Sequence, residues 1–141
     1  MLIKTILNRL EKFKSFVYGK TYFKTIEGQS SLIIELKARK NSRGICSSCG
    51  KACGTYDTQA ARCYEYVPLW GIRVYFHYRP RRVHCKQDGV HIEQLPWSEG
   101  KEHLTKRYQL FLSTWAKRLS WKEVSTIFKS GLYAQTCGNL I

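Results

Sequence analysis

The chain has 141 residues, enough for one compact domain or two very small ones, and too few for a DNA-binding module followed by a large catalytic domain. Its 24 Lys and Arg against 10 Asp and Glu leave a net charge of +14, which attracts polyanions: nucleic acid is the first partner to consider and an anionic membrane the second. The hydrophobic share of 43% excludes a wholly disordered tail, and no apolar run approaches the ~20 residues of a membrane span, because Glu35 interrupts the cluster Leu32-Ile33-Ile34.

Residues 3–16 carry Ile3, Ile6, Leu7, Leu10 and Phe13 at steps of three and four, which predicts a short amphipathic helix. Lys4, Arg9, Lys12 and Lys14 interleave with these residues, without the separate apolar core or cleavage site of a signal peptide, so a cytoplasmic location is expected. Gly19 punctuates. Residues 22–26 read as a strand, 27–30 as a turn and 31–38 as a second strand, together a hairpin. Residues 37–45 read as a basic loop and Cys46-Ser-Ser-Cys49-Gly50 as a knuckle.

Two further strands, 62–67 and 72–79, flank the turn Pro68-Leu69-Trp70-Gly71. In the second, Ile72, Val74, Phe76 and Tyr78 alternate with Arg73, Tyr75, His77 and Arg79, which predicts one apolar and one basic-aromatic face. Leu104, Tyr108, Phe111, Leu112, Trp115 and Leu119 then fall at helical spacing behind Thr105, a candidate N-cap. Ser120 with Glu123 forms a capping box for another helix, its buried face expected from Trp121, Val124, Ile127 and Phe128. The helical pair suggests the start of a helix-turn-helix. Residues 130–141 carry no charge and would make a poor recognition helix. The expected architecture is therefore α+β: an N-terminal helix and β-hairpin (1–40), a ribbon-like segment (41–100), a helical part (101–129) and an aberrant tail (130–141).

Six cysteines in a cytosolic chain argue against a disulfide framework. A zinc ribbon needs two tight turns of the form Cys-x-x-Cys-Gly, each aiming two thiolates at one ion, with a glycine where φ turns positive. The first is intact at Cys46, Cys49 and Gly50; the second reads Cys85-x-x-Asp88-Gly89, a carboxylate standing where a thiolate is usual. Cys46, Cys49 and Cys85 are the expected zinc ligands. Asp88 fits the fourth place, with His84, His91, Cys53 or water as alternatives. The competing reading is a bare hairpin that has lost its metal. Cys63 and Cys137 read as incidental thiols. A redox role for Cys46 and Cys49 would need a βαβ context that the pattern lacks.

Arg73, Arg79, Arg81, Arg82 and Lys86 cluster beside the proposed site in a stretch, 66–87, with no acidic residue, so phosphate contact is favoured over a merely solvated face. Tyr75 and His77 either stack on bases or pack beneath the N-terminal hairpin, packing being preferred. The four tryptophans, Trp70, Trp97, Trp115 and Trp121, read as core anchors.

These motifs occur in a recognisable order: Cys46-x-x-Cys49-Gly50, Tyr56-Asp57, Leu69-Trp70-Gly71-Ile72-Arg73-Val74-Tyr75, Arg81-Arg82-Val83-x-Cys85, Gly89-Val90, Glu93, Pro96-Trp97 and Glu99-Gly100-Lys101. Over residues 20–129 this resembles the N-terminal region of bacterial insertion-sequence transposases of the ISL-three type. In that family a zinc ribbon precedes a helix-turn-helix and a DDE catalytic domain. The family's second knuckle carries two cysteines, whereas position 88 here is Asp, and the resemblance ends near Lys129. It implies a DNA-binding fragment without catalysis of its own, whose partners are element-end DNA at terminal inverted repeats and full-length transposase. A small-molecule substrate and a membrane are not expected. The chain has only two Asp, Asp57 and Asp88, too few for the metal-binding carboxylates of such an enzyme. A stand-alone ribbon adaptor for a protein partner and a non-functional pseudogene product are the alternatives.

Overall fold

The computed structural model describes residues 2–128, so the tail 130–141, Cys137 and any recognition helix lie outside the described residues. The fold is mixed α+β, with three helices and eight strands in two four-stranded sheets among the described residues. Among the described residues no helix is long and apolar enough to cross a membrane.

Helix α1 spans Ile3–Leu10, shorter than the periodicity predicts. Phe13 continues the apolar spacing but packs from a loop, with its ring 5.4 Å from Trp97 and 6.3 Å from Phe76. Apolar spacing reports which residues seek the core, and a turn meets that demand as well as a helix does.

Strands β1 (Phe16–Ile26) and β2 (Gln29–Ala38) form the first hairpin. Gly19 lies inside β1, where the register shifts between Tyr18 and Thr21, instead of ending an element. The first sheet runs β1-β2-β6-β5, with β5 at Arg62–Leu69 and β6 at Ile72–Tyr78. The β5–β6 hairpin turns on two residues, Trp70 at φ 48° and Gly71 at φ 75°, between the paired Leu69 and Ile72. Two successive positive φ angles match the strand twist, and glycine carries the second without strain.

Parallel pairing of β2 with β6, Ile33 opposite Tyr75 and Ile34 opposite Phe76, puts both strands at the centre of the sheet. Both of their faces are also covered at mid-length. One face supplies Leu32, Ile34, Leu36, Val74, Phe76 and Tyr78 to the main core; the other buries Ile33 and Tyr75 with Ile26 and Cys63. Trp97 sits at the middle of the main core, its ring 4.9 Å from Phe16, 5.1 Å from Tyr78 and 5.9 Å from Tyr64, all edge-to-face.

The second sheet runs β3-β4-β7-β8, with β3 at Gly44–Ile45, β4 at Ala52–Thr58, β7 at Arg81–Cys85 and β8 at Gly89–Ile92. The segment 41–100 thus contributes to both sheets, and residue 40 does not separate them. The chain leaves β6 and enters β7 through Arg79-Pro80 alone.

Helices α2 (Lys106–Ala116) and α3 (Trp121–Phe128) follow. Thr105 caps α2 by accepting from Tyr108 N at 3.3 Å, while its hydroxyl donates to the Glu65 carbonyl at 3.0 Å and so ties the helix to β5. The capping box of α3 is formed: Glu123 N donates to Ser120 Oγ at 3.3 Å, and Ser120 N donates to Glu123 Oε2 at 2.8 Å. Val124 is buried with Tyr108 and Leu112, but Trp121 and Ile127, expected on the buried face, are exposed. Of the four tryptophans only Trp97 is a core anchor; Trp70 is 89% exposed at its hairpin tip.

Candidate metal centre and basic surface

Two turns build the metal-binding geometry. The first follows β3: Gly50 N donates to the Cys46 carbonyl and Cys46 N to the Lys51 carbonyl, both at 2.9 Å. Gly50 has φ 71°, which closes this turn with the Cys46 and Cys49 side chains on its inner side. The second joins β7 to β8, with Cys85 paired to Gly89. The fold carries these turns together from 36 residues apart, and Cys49 Sγ lies 3.5 Å from Cys85 Sγ.

Cys46, Cys49, Cys85 and Asp88 each offer a ligand atom, all within 4.8 Å of one another. Cys46 and Cys85 are buried, Cys49 is half-buried and Asp88 is exposed. Cys85 Sγ stands 3.7 Å from Asp88 Oδ2. His84, His91 and Cys53 are outside this set; the His91 ring nitrogen Nε2 lies instead 2.6 Å from the Asp88 carbonyl. These four residues are arranged to hold a metal ion.

The local electrostatics differ from thiol to thiol. Backbone N–H groups of Asp88, then Gln87, point at the Cys85 sulfur and draw its pKa below the ordinary thiol value. At Cys49 the Lys51 amide pulls the same way, but the neighbouring Cys85 thiol, loss of hydration and Cys46 outweigh it and push the pKa up to about 11. Without a cation, like charges this close resist joint ionisation. A divalent ion removes that penalty by coordinating the thiolates.

The basic residues do not form one face. Arg73 and Arg79 are six residues apart along β6 and just beyond it, a span of about 20 Å at strand rise. Arg73 is half-buried near the β5–β6 turn and lines a groove of about 460 Å³ with Phe111, Ile127 and Phe128. Lys86 is exposed on the second metal-site turn.

Arg81 lines a groove beside Arg79, but its guanidinium is already held by protein acceptors. Its guanidinium is bound by Glu93, with Nε at 3.0 Å and Nη2 at 2.8 Å from Oε2, and Nη1 donates to the Ser42 carbonyl at 3.0 Å. Glu93, buried at 3% exposure, also accepts from Arg81 N at 3.0 Å and from the Tyr78 hydroxyl. Arg82 pairs with Asp57, Nε to Oδ1 at 2.7 Å, and lies over the Tyr56 ring. The Arg82 guanidinium, above all by hydrogen bonding, holds the Asp57 carboxyl below its usual range. The stretch without acids thus receives its acidic partners from residues 57 and 93.

Sequence reasoning missed a second basic feature. Lys20 and Lys37, both exposed, line a groove of about 530 Å³ with Arg79, His77 and Glu35. Lys20 and Lys37 come from neighbouring strands and Arg79 from the link between the sheets, so no local pattern joins them. Tyr75 is fully buried against Ile33 and Cys63, the packing alternative, and is not available for base stacking.

Comparison with protein families, with curated proteins and with solved structures finds no match.

Proposed function

We propose that this chain is a DNA-binding module whose ribbon is locked by zinc. The observation that carries the reading is the groove where Lys20, Lys37 and Arg79 converge, with Glu35 the single carboxylate among its lining residues, in a chain of net charge +14. Three exposed cations on rigid strands and their connection suit a phosphate backbone, and counterion release then supplies the affinity. Arg79 and Lys86 carry over from the sequence reading as phosphate contacts. Arg73 and Arg82 keep that role only where their present neighbours yield to a phosphate.

Three thiolates and a carboxylate suit zinc, which would be held by Cys46, Cys49 and Cys85 with an oxygen or sulfur donor as the fourth ligand. Bound there, the ion would neutralise the thiolates and clamp β3–β4 to β7–β8. Its role in this reading is structural. The order of motifs resembling ISL-three-type transposases makes duplex DNA at an element end the proposed target.

The test is a titration of labelled duplex DNA across salt concentrations. Replacing Lys20, Lys37 and Arg79 with Gln should weaken binding and flatten the slope of log affinity against log salt by about 2.7, or 0.9 for each of three contacts. No binding at low salt, or an unchanged slope, overturns the reading. Exposed Leu110, Trp121 and Ile127 on the C-terminal helices favour a protein partner as the second reading, which requires negligible DNA affinity at low salt.

A further inference from the structure

A fourth thiol, that of Cys53, packs beside the metal site, just outside the four residues whose ligand atoms lie within 4.8 Å of one another. In the β4–β7 ladder Gly54 faces His84 and Thr55 faces Val83. One step further along the same antiparallel register sets Cys53 opposite Cys85. Residues directly opposite in such a pair project to the same side of the sheet with Cβ atoms about 5 Å apart. The side chains agree with the register: Cys53 packs on the buried cluster of Cys46, Val83 and Cys85, and its thiol interacts with that of Cys85. Cys53 is half-buried, and its Sγ–H donates to the Lys51 carbonyl at 3.5 Å, a weak bond that yields to a metal.

Asp88 is placed differently. It is exposed, and its firm contribution to the site is its backbone N–H, which holds the Cys85 sulfur whatever its side chain does. The carboxylate can turn to water at little cost. A soft donor packed on the same thiol cluster competes with a hard donor that is exposed, and zinc in a closed structural site favours sulfur.

We propose that Cys53, not Asp88, is the fourth protein ligand, giving a four-thiolate centre of Cys46, Cys49, Cys53 and Cys85. The inference rests on the metal-centre reading above. It also accounts for position 88, because the fourth thiolate is supplied from β4 instead of from the second turn. The loop thus tolerates a carboxylate there without losing the ion.

X-ray absorption at the zinc edge of the purified full chain, reconstituted with one equivalent of zinc, counts the donors directly. Four sulfur neighbours at about 2.3 Å are expected. The Cys53→Ser protein should lose one of the four, and the Asp88→Ala protein should keep all of them. Three sulfurs and one oxygen or nitrogen at about 2.0–2.2 Å in the unaltered chain would overturn the assignment. So would a four-sulfur count that survives Cys53→Ser. Failure of the unaltered chain to retain zinc through gel filtration would overturn the metal centre itself, and the proposal with it. The count on the unaltered protein needs no variant, so a folding defect in either substitution does not blunt the test.

Discussion

Replacing Glu93 with Ala tests a buried ion pair of the second sheet that also binds the first sheet through the Tyr78 hydroxyl. Glu93 follows β8 in the second sheet, yet it accepts from Tyr78 of the first sheet and from the backbone and guanidinium of Arg81. The side chains are 1% exposed for Glu93 and 14% for Arg81. Losing one partner leaves a desolvated guanidinium and a buried tyrosine hydroxyl, a loss of about 3–5 kcal/mol for a pair this enclosed. In a chain of this size that lowers the melting temperature by on the order of 10–20 °C. Arg81→Ala should cost a similar amount, by stranding Glu93. The double variant Glu93→Leu/Arg81→Met should recover most of it, since paired removal leaves no orphaned charge. Urea melts of the unaltered protein, Glu93→Leu, Arg81→Met and their double variant give the coupling energy. A single-variant cost below about 1 kcal/mol, or singles that simply add in the double, would refute the reasoning. The Arg82–Asp57 pair, exposed by 37% and 40%, serves as the control whose loss barely moves the midpoint.

Two further predictions concern the same fold. At Gly44 a Cβ would stand 2.5 Å from Val83 Cγ1 and 3.3 Å from Glu93 Oε2, so Gly44→Ala should destabilise by about 1–3 kcal/mol; a wild-type urea midpoint would count against the close approach of β3 to β7. Burial lowers the pKa of His77, with Arg79 and Lys24 adding to the effect and Glu35 opposing it. Between the lowered folded value and the ordinary value near 6.5 the unfolded chain binds more protons, so stability should fall as pH drops through that window. His77→Gln should remove this component, and melts from pH 7.5 to 5 with the same slope in both proteins would refute it.

The legible parts of the sequence were those decided within a few residues. Both hairpins turn where Gly28 and Gly71 mark them, Thr105 and Ser120–Glu123 cap the helices, and the two turns near 46–50 and 85–89 announce themselves by spacing. The grouping of Cys46, Cys49, Cys85 and Asp88 was legible for the same reason, since each turn brings its own pair. The basic residues were not. A run such as Arg79, Arg81 and Arg82 reads as free charge because Glu93 and Asp57 lie 12 and 25 residues away. Trp121 and Ile127 were placed on a buried face by periodicity alone, but α3 buries only the narrow stripe that meets α2 around Val124.

What the amino-acid sequence determined by itself was local: strand alternation, turn chemistry, caps, and ligand pairs three residues apart. Each rests on dihedral preferences or on side-chain spacing along one element. The tertiary structure alone decided that the 62–78 hairpin completes the sheet begun by 16–38 instead of standing between the two metal-site turns. Parallel pairing of β2 with β6 spans some forty residues of chain, and it is selected by burying apolar side chains on both faces of these strands at once. That same choice gathers Lys20, Lys37 and Arg79 into one groove, while the register of the second sheet sets Arg81 beside Glu93 and carries Cys53 toward Cys85. Long-range pairing is paid for in loop entropy and repaid only by the whole core, so no local pattern of residues records it.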